Sequence, residues 1–390
     1  MTLEISHSFP PDIIREILLK VSTVKSLLRC KSVCKEWYTL ISDQHFIKSH
    51  YTLSTTNNIN YAHHRLIYKQ DNDLISCPLY DVLFHNSANH TLLLEIPFQQ
   101  TRGFRIIGSC NGLMCLFGVD DNTLFIYNPS TRATNILPPS KQGADWYVFS
   151  GFGYDETTHD YKVVKLWRCW PYWGTVIYSL KAGSWKEIGR FPLVKLFNDG
   201  KFLNGALHWE TGDYYMWHIV SLDLGKETYG EVLPPEYDVE VDMMSHLGVL
   251  GESLCVLYNY IKSHVVDVWV MKVYGVKDSW TKLASIPDIW WDRDLILDPL
   301  CISKDGKVLL RLGPQLLVYD SKNSSSTIID NFNRCHQACI VVESLVSPFP
   351  PLGLADINDD ENQGFDDDHD ANGIVSFKNP LKKESAGEKL

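Results

Sequence analysis

The stretch TLFIYNPSTRATNILPP, residues 123–139, carries the pattern that decides the fold of this 390-residue chain. An apolar run rich in β-formers is followed by a polar turn and by a second run that ends at proline, which is typical of a β-hairpin. The same order of strand, polar turn and strand recurs four more times, in residues 175–192, 218–235, 267–287 and 315–330. The chain therefore contains a repeated β-hairpin.

The spacing of these hairpins predicts the architecture. They begin near residues 124, 176, 219, 268 and 316, about 43 to 52 residues apart, which is the repeat length of β-propeller blades. Further strand-like runs lie between the hairpins, so four strands per repeat are available. The run ACIVVESLV, residues 338–346, is placed to pair with the first blade and close the ring. The number of blades stays open.

We therefore predict an all-β body over residues 60–346 that forms a kelch-like β-propeller. The repeats lack the paired glycines of kelch blades and the Trp-Asp pair of the other common propeller class. A β-sandwich or an irregular barrel remains the alternative.

The amino-terminal region has a different texture. DIIREILLKV, residues 12–21, places apolar residues at helical spacing directly after two prolines, where a helix tolerates them. The same period continues through KSVCKEW, residues 31–37, and predicts Val33, Cys34 and Trp37 on one side of a helix. Residues 5–50 are thus expected to form a small all-α head. So few residues bury little surface, and the apolar remainder indicates an interaction site.

Charge and composition exclude several functions. The net charge of −11 opposes binding to nucleic acid and to anionic membrane surfaces. Residues 355–390 hold ten acidic and four basic side chains, so the segment 352–390 is predicted to be a disordered acidic tail. The ten cysteines indicate reduced thiols in a protein of the cytoplasm or nucleus. No secretory signal and no membrane-spanning stretch is recognised.

Motifs that carry chemistry are weak in this sequence. GFGYDE, residues 151–156, lacks the third glycine of a dinucleotide fingerprint, and we interpret its glycines as part of a β-turn. CHQAC, residues 335–339, offers three metal donors where a structural zinc site needs four. The adjacent His63 and His64 would point to opposite faces of a strand and lie at the surface. We predict no catalytic residue, no metal site and no cofactor.

Most tryptophans on the strand-like runs are expected to lie in the core between sheets. Two aromatic clusters look too crowded for a core, RCWPYWG at 168–174 and DIWWDRD at 288–294. We predict that both are exposed recognition loops. The predicted substrate-binding residues are Trp170, Tyr172, Trp173, Trp290 and Trp291.

Residues 9–50 resemble an F-box, the helical module that docks onto a Skp-family adaptor and through it onto a cullin. The resemblance rests on Phe9-Pro10, VKSLLR, VCKEW and Phe46. The body, from IGSCNGLMCLFG through YNPSTR, GFGYD, GALHW and VWVMKVYGVKDSWTKL, looks like the plant F-box-associated type 1 region over residues 107–346. The whole chain is similar to plant F-box proteins of the kelch-like class, which include S-locus F-box proteins and F-box proteins that restrain immune receptors.

The resemblance implies a non-catalytic substrate-recognition subunit of a Skp–cullin–F-box (SCF) E3 ubiquitin ligase that sends a protein target to the proteasome. An immune receptor is one target that it implies, and a ribonuclease of the S-locus type is the alternative. A propeller enzyme and a non-degradative scaffold also stay open. The adaptor-binding residues implied by the match are Phe9, Pro10, Ile14, Leu18, Leu27, Leu28, Val33, Cys34 and Trp37.

One departure from the family pattern lies at Val21-Ser22-Thr23, where the family usually has Leu-Pro before VKSLLR. Without the proline the entry into the second helix is less fixed, which is expected to weaken adaptor binding. Ser22 or Thr23 is available as the helix cap instead.

Overall fold

The computed structural model describes residues 10–21, 23–56, 61–88, 90–96, 103–141, 148–169, 171–192, 195–212, 217–236, 243–287, 289, 297–329, 332 and 334–350. The predicted acidic tail, residues 352–390, lies outside these residues. Among the described helices, none combines the length and the hydropathy that a membrane-spanning segment requires.

Four helices form the amino-terminal head: α1 (Pro11–Leu19), α2 (Val24–Cys30), α3 (Lys35–Ser42) and α4 (Gln44–Thr56). Pro11 occupies the first turn of α1, where its missing N–H costs nothing. Thr23 caps α2, because its side-chain oxygen accepts from the backbone N–H of Ser26 at 3.1 Å. The predicted all-α head and the predicted cap at Ser22 or Thr23 are confirmed.

The body is a ring of six four-stranded antiparallel sheets, and the prediction of a propeller is confirmed.

The blades in chain order, each given from its inner to its outer strand, are as follows. Blade one has β24 (Cys335–Val342), β1 (His64–Gln70), β2 (Asp73–Pro78) and β3 (Leu92–Leu94). Blade two has β4 (Phe104–Cys110), β5 (Leu113–Gly118), β6 (Leu124–Asn128) and β7 (Ala133–Ile136). Blade three has β8 (Val148–Asp155), β9 (Asp160–Cys169), β10 (Tyr172–Ser179) and β11 (Ser184–Phe191). Blade four has β12 (Lys201–Leu203), β13 (Ala206–Gly212), β14 (Trp217–Asp223) and β15 (Thr228–Val232). Blade five has β16 (Met243–Leu250), β17 (Ser253–Tyr260), β18 (Val265–Met271) and β19 (Trp280–Ile286). Blade six has β20 (Leu297–Ile302), β21 (Lys307–Leu312), β22 (Gln315–Asp320) and β23 (Ser325–Ile328).

The last strand of the chain closes the ring, as predicted. β24 pairs antiparallel with β1, with Leu66 opposite Ile340 and His64 opposite Val342. Because blade one takes its inner strand from the end of the chain and its other strands from the beginning, the ring cannot open without breaking this pairing.

The five hairpins found in the sequence are the two outer strands of blades two to six. The outer strands of blade one escaped the pattern because a fifth helix, α5 (Leu79–His85), lies between β2 and β3. The insertion places its buried side chains, Leu79, Val82 and Leu83, against blade one. A hairpin interrupted by a helix has no short polar turn to detect.

The glycines of GFGYD lie inside β8 and not in a turn, so that interpretation was wrong. A Cβ on Gly151 would come within 2.7 Å of Leu207, and one on Gly153 within 2.3 Å of Phe202. Both glycines therefore allow the inner strand of blade three to pack directly against blade four.

Aromatic side chains fill the space between blades, as expected for most of the tryptophans. Trp173 and Trp209 pack between blades three and four, and Trp217 and Trp280 pack between blades four and five. This core arrangement gives each blade a large apolar contact with its neighbour.

A buried histidine makes the propeller sensitive to acid. The Nδ1 of His208 lies 3.1 Å from the backbone oxygen of Lys201, which can only accept, so Nδ1 carries the proton and Nε2 accepts from the Tyr274 hydroxyl at 2.7 Å. Burial lowers the pKa of His208 to about 4. The unfolded chain takes up this proton near pH 6.5, so the contribution of His208 to stability is present above that pH and is lost as the pH falls towards 4.

We therefore expect the stability difference between the wild type and His208→Gln to shrink by up to about 3 kcal/mol between pH 7.5 and pH 4. Urea unfolding at both pH values measures it, with the exposed His85→Gln as the control. A difference that does not change with pH would contradict the assignment.

Candidate functional site

Exposed apolar side chains lie on two parts of the helical head. On α1, Ile13 and Ile17 are 46% and 54% exposed and line a surface depression together with charged side chains of the same helix. Near α3, Val33 and Tyr38 are also exposed. Apolar surface of this kind on a small domain marks a contact with a partner.

The predicted adaptor-binding residues fall into several groups. The exposed ones are Pro10, Val33 and Cys34. The half-buried ones are Ile14, Leu28 and Trp37. Leu18 and Leu27 are 2% and 0% exposed in the core of the head, so a partner cannot contact them unless the head opens. Phe9 lies outside the described residues.

Sequence reasoning missed the outward side of α1. The sequence grouped Ile13, Ile14, Ile17, Leu18 and Val21 on one apolar face. The structure instead turns Leu18 inward and leaves Ile13 and Ile17 about half exposed. The available signal was the width of the apolar face: five large apolar residues on a nine-residue helix exceed what one contact with the core requires.

The segment KSVCKEW does not form one continuous helix, so the prediction for Val33, Cys34 and Trp37 was wrong. Val33 and Cys34 lie in the turn between α2 and α3, and Cys34 is the residue that precedes the first turn of α3. Only Trp37 packs against the core of the head. The interruption leaves Val33 in solvent.

A segment that follows the last strand joins the head to the propeller. We call residues 343–348 the strap. Leu345 is 6% exposed and belongs to the core of the head, where it packs among Leu18, Leu27 and Phe46. The Glu343 carboxyl lies beside the backbone N–H of Val24, at the start of α2, and this N–H opposes the rise in the pKa of Glu343 that burial causes. The strap therefore completes the core of the head and lies beside the amino terminus of α2.

The turn YNPSTR of blade two holds the other side of the strap. The buried Asn128 donates from Nδ2 to the backbone oxygens of Ser344 at 3.1 Å and Val346 at 2.7 Å. Its side-chain oxygen accepts from the backbone N–H of Ser130 at 2.8 Å, which fixes the turn. Asn135 adds a bond to the backbone oxygen of Pro348 at 2.9 Å. These asparagines attach the strap to the propeller.

His63 and His64 also lie at this junction and are half-buried, so the prediction of surface histidines was wrong. The rings of His63 and His50, from α4, meet edge to face with centroids 5.8 Å apart. The backbone oxygen of His63 accepts from the N–H of Glu343 at 2.8 Å. Head, strap and blade one are thus packed together.

The direction of the inner strands defines two sides of the propeller. β24 and β4 run in the same direction, because Ile106 N–H donates to the Gln337 side chain and the Ser109 hydroxyl donates to the backbone oxygen of Ile340, both at 2.8 Å. These strands end beside the strap, at the head side. They begin at the opposite side, which we call the far side.

The tip of the β9–β10 hairpin lies on the far side. The first residue of β8 pairs with Trp167, and the start of β8 is held near the start of β4 because Asp199 contacts both Arg105 and the N–H of Ser150. The hairpin tip that follows Trp167 therefore points away from the head.

The predicted substrate-binding residues are only partly placed at this tip. Tyr172 is 45% exposed, as a recognition residue requires. Trp173 is 3% exposed and packs between blades three and four, so it supports the hairpin from inside. Trp170, Trp290 and Trp291 lie outside the described residues.

Charged side chains near the inner strands pair with one another. The Arg311 guanidinium contacts Asp298 at 2.5 and 2.9 Å, and Arg105 contacts Asp199 at 3.3 Å. Burial of Asp298 opposes its ionisation, but Lys201 and Arg311 lower its pKa to about 2. Within the described ranges no group of three or more His, Cys, Asp and Glu could hold a metal ion. In CHQAC, Cys335 is buried in blade one and His336 is exposed.

A helical head with exposed apolar surface, fixed to one side of a six-blade propeller with an exposed aromatic tip on the other, defines a two-module binding protein. The chain belongs to the F-box proteins with an F-box-associated propeller. A model of the F-box domain matches residues 7–49, and a model of the F-box associated beta propeller domain matches residues 74–346.

Relatives in Arabidopsis thaliana extend the match over both modules. F-box protein CPR1 is 32% identical over 383 residues, which covers 87% of this chain and 89% of the relative. An F-box/kelch-repeat protein is 31% identical over 358 residues, and the match covers 88% of this chain and 96% of the relative. A further F-box protein is 29% identical, with 86% of this chain and 90% of the relative covered.

Proposed function

We propose that this protein is the substrate receptor of a Skp–cullin–F-box ubiquitin ligase in the cytoplasm or nucleus. The head binds a Skp-family adaptor and through it a cullin, and the propeller binds a protein target. Holding the target in the same complex raises the effective concentration of its lysines near the ubiquitin-charged conjugating enzyme. The chain itself contributes binding and positioning and no catalytic group.

The exposure of Ile13 and Ile17 on the head of an F-box protein is the observation that carries this proposal. Two isoleucines exposed on one short helix are unfavourable in water, and the free energy falls when a partner covers them. The strap supports the same function, because a head packed against the propeller keeps adaptor and target at a fixed separation.

The target that we propose is an immune receptor, and this part rests on the resemblance of the sequence alone. A ribonuclease of the S-locus type is the alternative target. A non-degradative scaffold would share the adaptor contact and differ in the fate of the captured protein.

Affinity capture of the full chain from plant cells tests the function. We expect adaptor and cullin to co-purify with the chain, and a target protein to accumulate in the capture when the proteasome is blocked. Mass spectrometry identifies the target, and ubiquitin transfer by the purified complex verifies it. A captured target whose abundance does not respond to proteasome inhibition would favour the scaffold, and a chain that captures no adaptor would refute the proposal.

A further inference from the structure

Three side chains of blade three form a cluster near the far side: the half-buried Trp167 on β9 and the exposed Tyr172 on β10 and Arg190 on β11. Trp167 and Arg190 both pair with Gly174, on opposite sides of β10. A Cβ on Gly174 would lie 2.3 Å from the Trp167 indole, so the ring lies directly over this glycine. The Arg190 guanidinium lies 4.5 Å from the centroid of the Tyr172 ring. We call these three residues the blade-three cluster.

A β-bulge places Arg190 in this cluster. Thr175 pairs with Gly189, but the next residue, Val176, pairs with Glu187, so Ile188 is the additional residue in β11. Without the bulge, Arg190 would pair with Trp173 and point to the opposite face of the sheet. Gly189 has a φ of 113°, which side-chain-bearing residues rarely adopt. The edge strand is thus built to turn Arg190 towards Tyr172.

The surroundings of the Arg190 guanidinium differ from those of other arginines of the propeller. Arg105, Arg311 and Arg334 each contact a carboxylate of this chain. In the part of the chain that the structure describes, no carboxylate oxygen lies within 4.0 Å of the Arg190 guanidinium. The only acidic residue of β11, Glu187, lies on the same side of the strand beyond that distance.

The chemistry of the cluster selects a partner. A guanidinium stacked on an aromatic ring keeps its in-plane N–H groups free to bind both oxygens of a carboxylate. Trp167 and Tyr172 supply flat apolar surface beside it, and Trp, Tyr and Arg are the residues most enriched at binding hot spots. A basic, aromatic cluster on a chain of net charge −11 fits a partner segment that is acidic and has an adjacent apolar side chain.

We propose that the blade-three cluster binds an acidic segment of the target protein, with a carboxylate on Arg190 and an apolar side chain on Trp167 and Tyr172. This inference rests on the proposed function, because it specifies how the substrate receptor recognises its target.

A randomised peptide library displayed against the purified complex of the full chain with its adaptor tests the inference. We expect the selected peptides to be enriched in Asp and Glu, and to bind at least tenfold more weakly to Arg190→Gln and Tyr172→Ala. Tyr172→Phe should bind like the wild type, because stacking needs the ring and not the hydroxyl. Arg334→Gln, which removes an exposed arginine that is paired with Asp71, should also leave binding unchanged.

A library that yields no binder, binders without acidic enrichment, or binders that ignore Arg190→Gln would overturn the inference. So would binders that appear only when the serines of the library are phosphorylated, because the ligand would then be a phosphate group. Adaptor binding is measured in the same samples. Its loss would refute the proposed function, whereas intact adaptor binding without acidic selection would refute only this inference.

Discussion

The double variant Ile13→Asp, Ile17→Asp is expected to lose adaptor binding by at least 100-fold while the head stays folded. Both side chains are about half exposed, so their replacement opens no cavity and buries no charge inside the chain. In the complex the two carboxylates would lie in a desolvated apolar interface, and a contact residue of this kind contributes about 2 kcal/mol or more. Isothermal calorimetry with the purified adaptor measures the affinity, and circular dichroism measures the fold of the head.

Leu53→Asp is the matched control, because Leu53 is an exposed leucine on α4 of the same head. It should bind the adaptor like the wild type. Leu18→Asp is the opposite control, since a carboxylate in the core should unfold the head and abolish binding for a different reason. Adaptor binding that survives the double variant would move the docking surface to Val33, Cys34 and Tyr38.

The fold was predictable because the outer strands of five blades repeat a local pattern. A strand, a polar turn and a strand are specified within about 20 residues, so their signal survives in a single sequence. The closure by β24 was also predictable, since an unpaired apolar strand at the end of the body has one edge left to join. The blade number was not predictable, because α5 separates β2 from β3 and removes the sixth hairpin from the pattern.

The docking surface was predicted less well, for a physical reason. On a helix as short as α1, apolar residues that face the core and apolar residues that face a partner are separated by a small rotation. Leu18 and Ile17 are adjacent in sequence and are both large apolar residues, but of the two only Leu18 is buried. What covers the head includes Leu345, which lies more than 300 positions further along the chain, and no local pattern reports such a contact.

The exposed side of the β9–β10 hairpin could likewise be predicted only in part. Tyr172 and Trp173 are neighbours on a strand and must point to opposite faces, so at most one of them could meet a target from the same side. The pattern of the residues identified the hairpin. The packing of blade four against blade three decided that Trp173 is the buried one.

Replacing Leu345 with alanine is expected to destabilise the head by about 2 to 5 kcal/mol, the range for truncating a buried leucine. Leu345 is the strap's contribution to the core of the head, and the propeller keeps its own six cores without it. The head should therefore unfold separately and before the propeller. Hydrogen exchange resolves the two, and we expect faster exchange of the backbone amides in α1 to α4 with unchanged exchange in the blades.

Phe349→Ala is the matched control for the strap, since Phe349 lies just beyond the strap and is exposed, and it should change neither part of the molecule. Glu343→Ala is the second test. It removes the carboxylate that lies beside the Val24 N–H at the start of α2. We expect α2 to lose protection first in this variant, because its first turn would keep the Thr23 cap but lose the carboxylate beside it.

The strap variants also separate binding from positioning. At adaptor concentrations high enough to saturate the Leu345→Ala head, the target and the adaptor should both be bound, yet ubiquitin transfer to the target should fall. A head that is no longer packed against blades one and two lets the separation of adaptor and target vary, which lowers the effective concentration at the conjugating enzyme. Transfer at the wild-type rate under saturation would mean that the junction serves stability alone. A reduced rate with full occupancy would make Leu345 and Glu343 positioning residues of the ligase, although neither contacts the adaptor or the target.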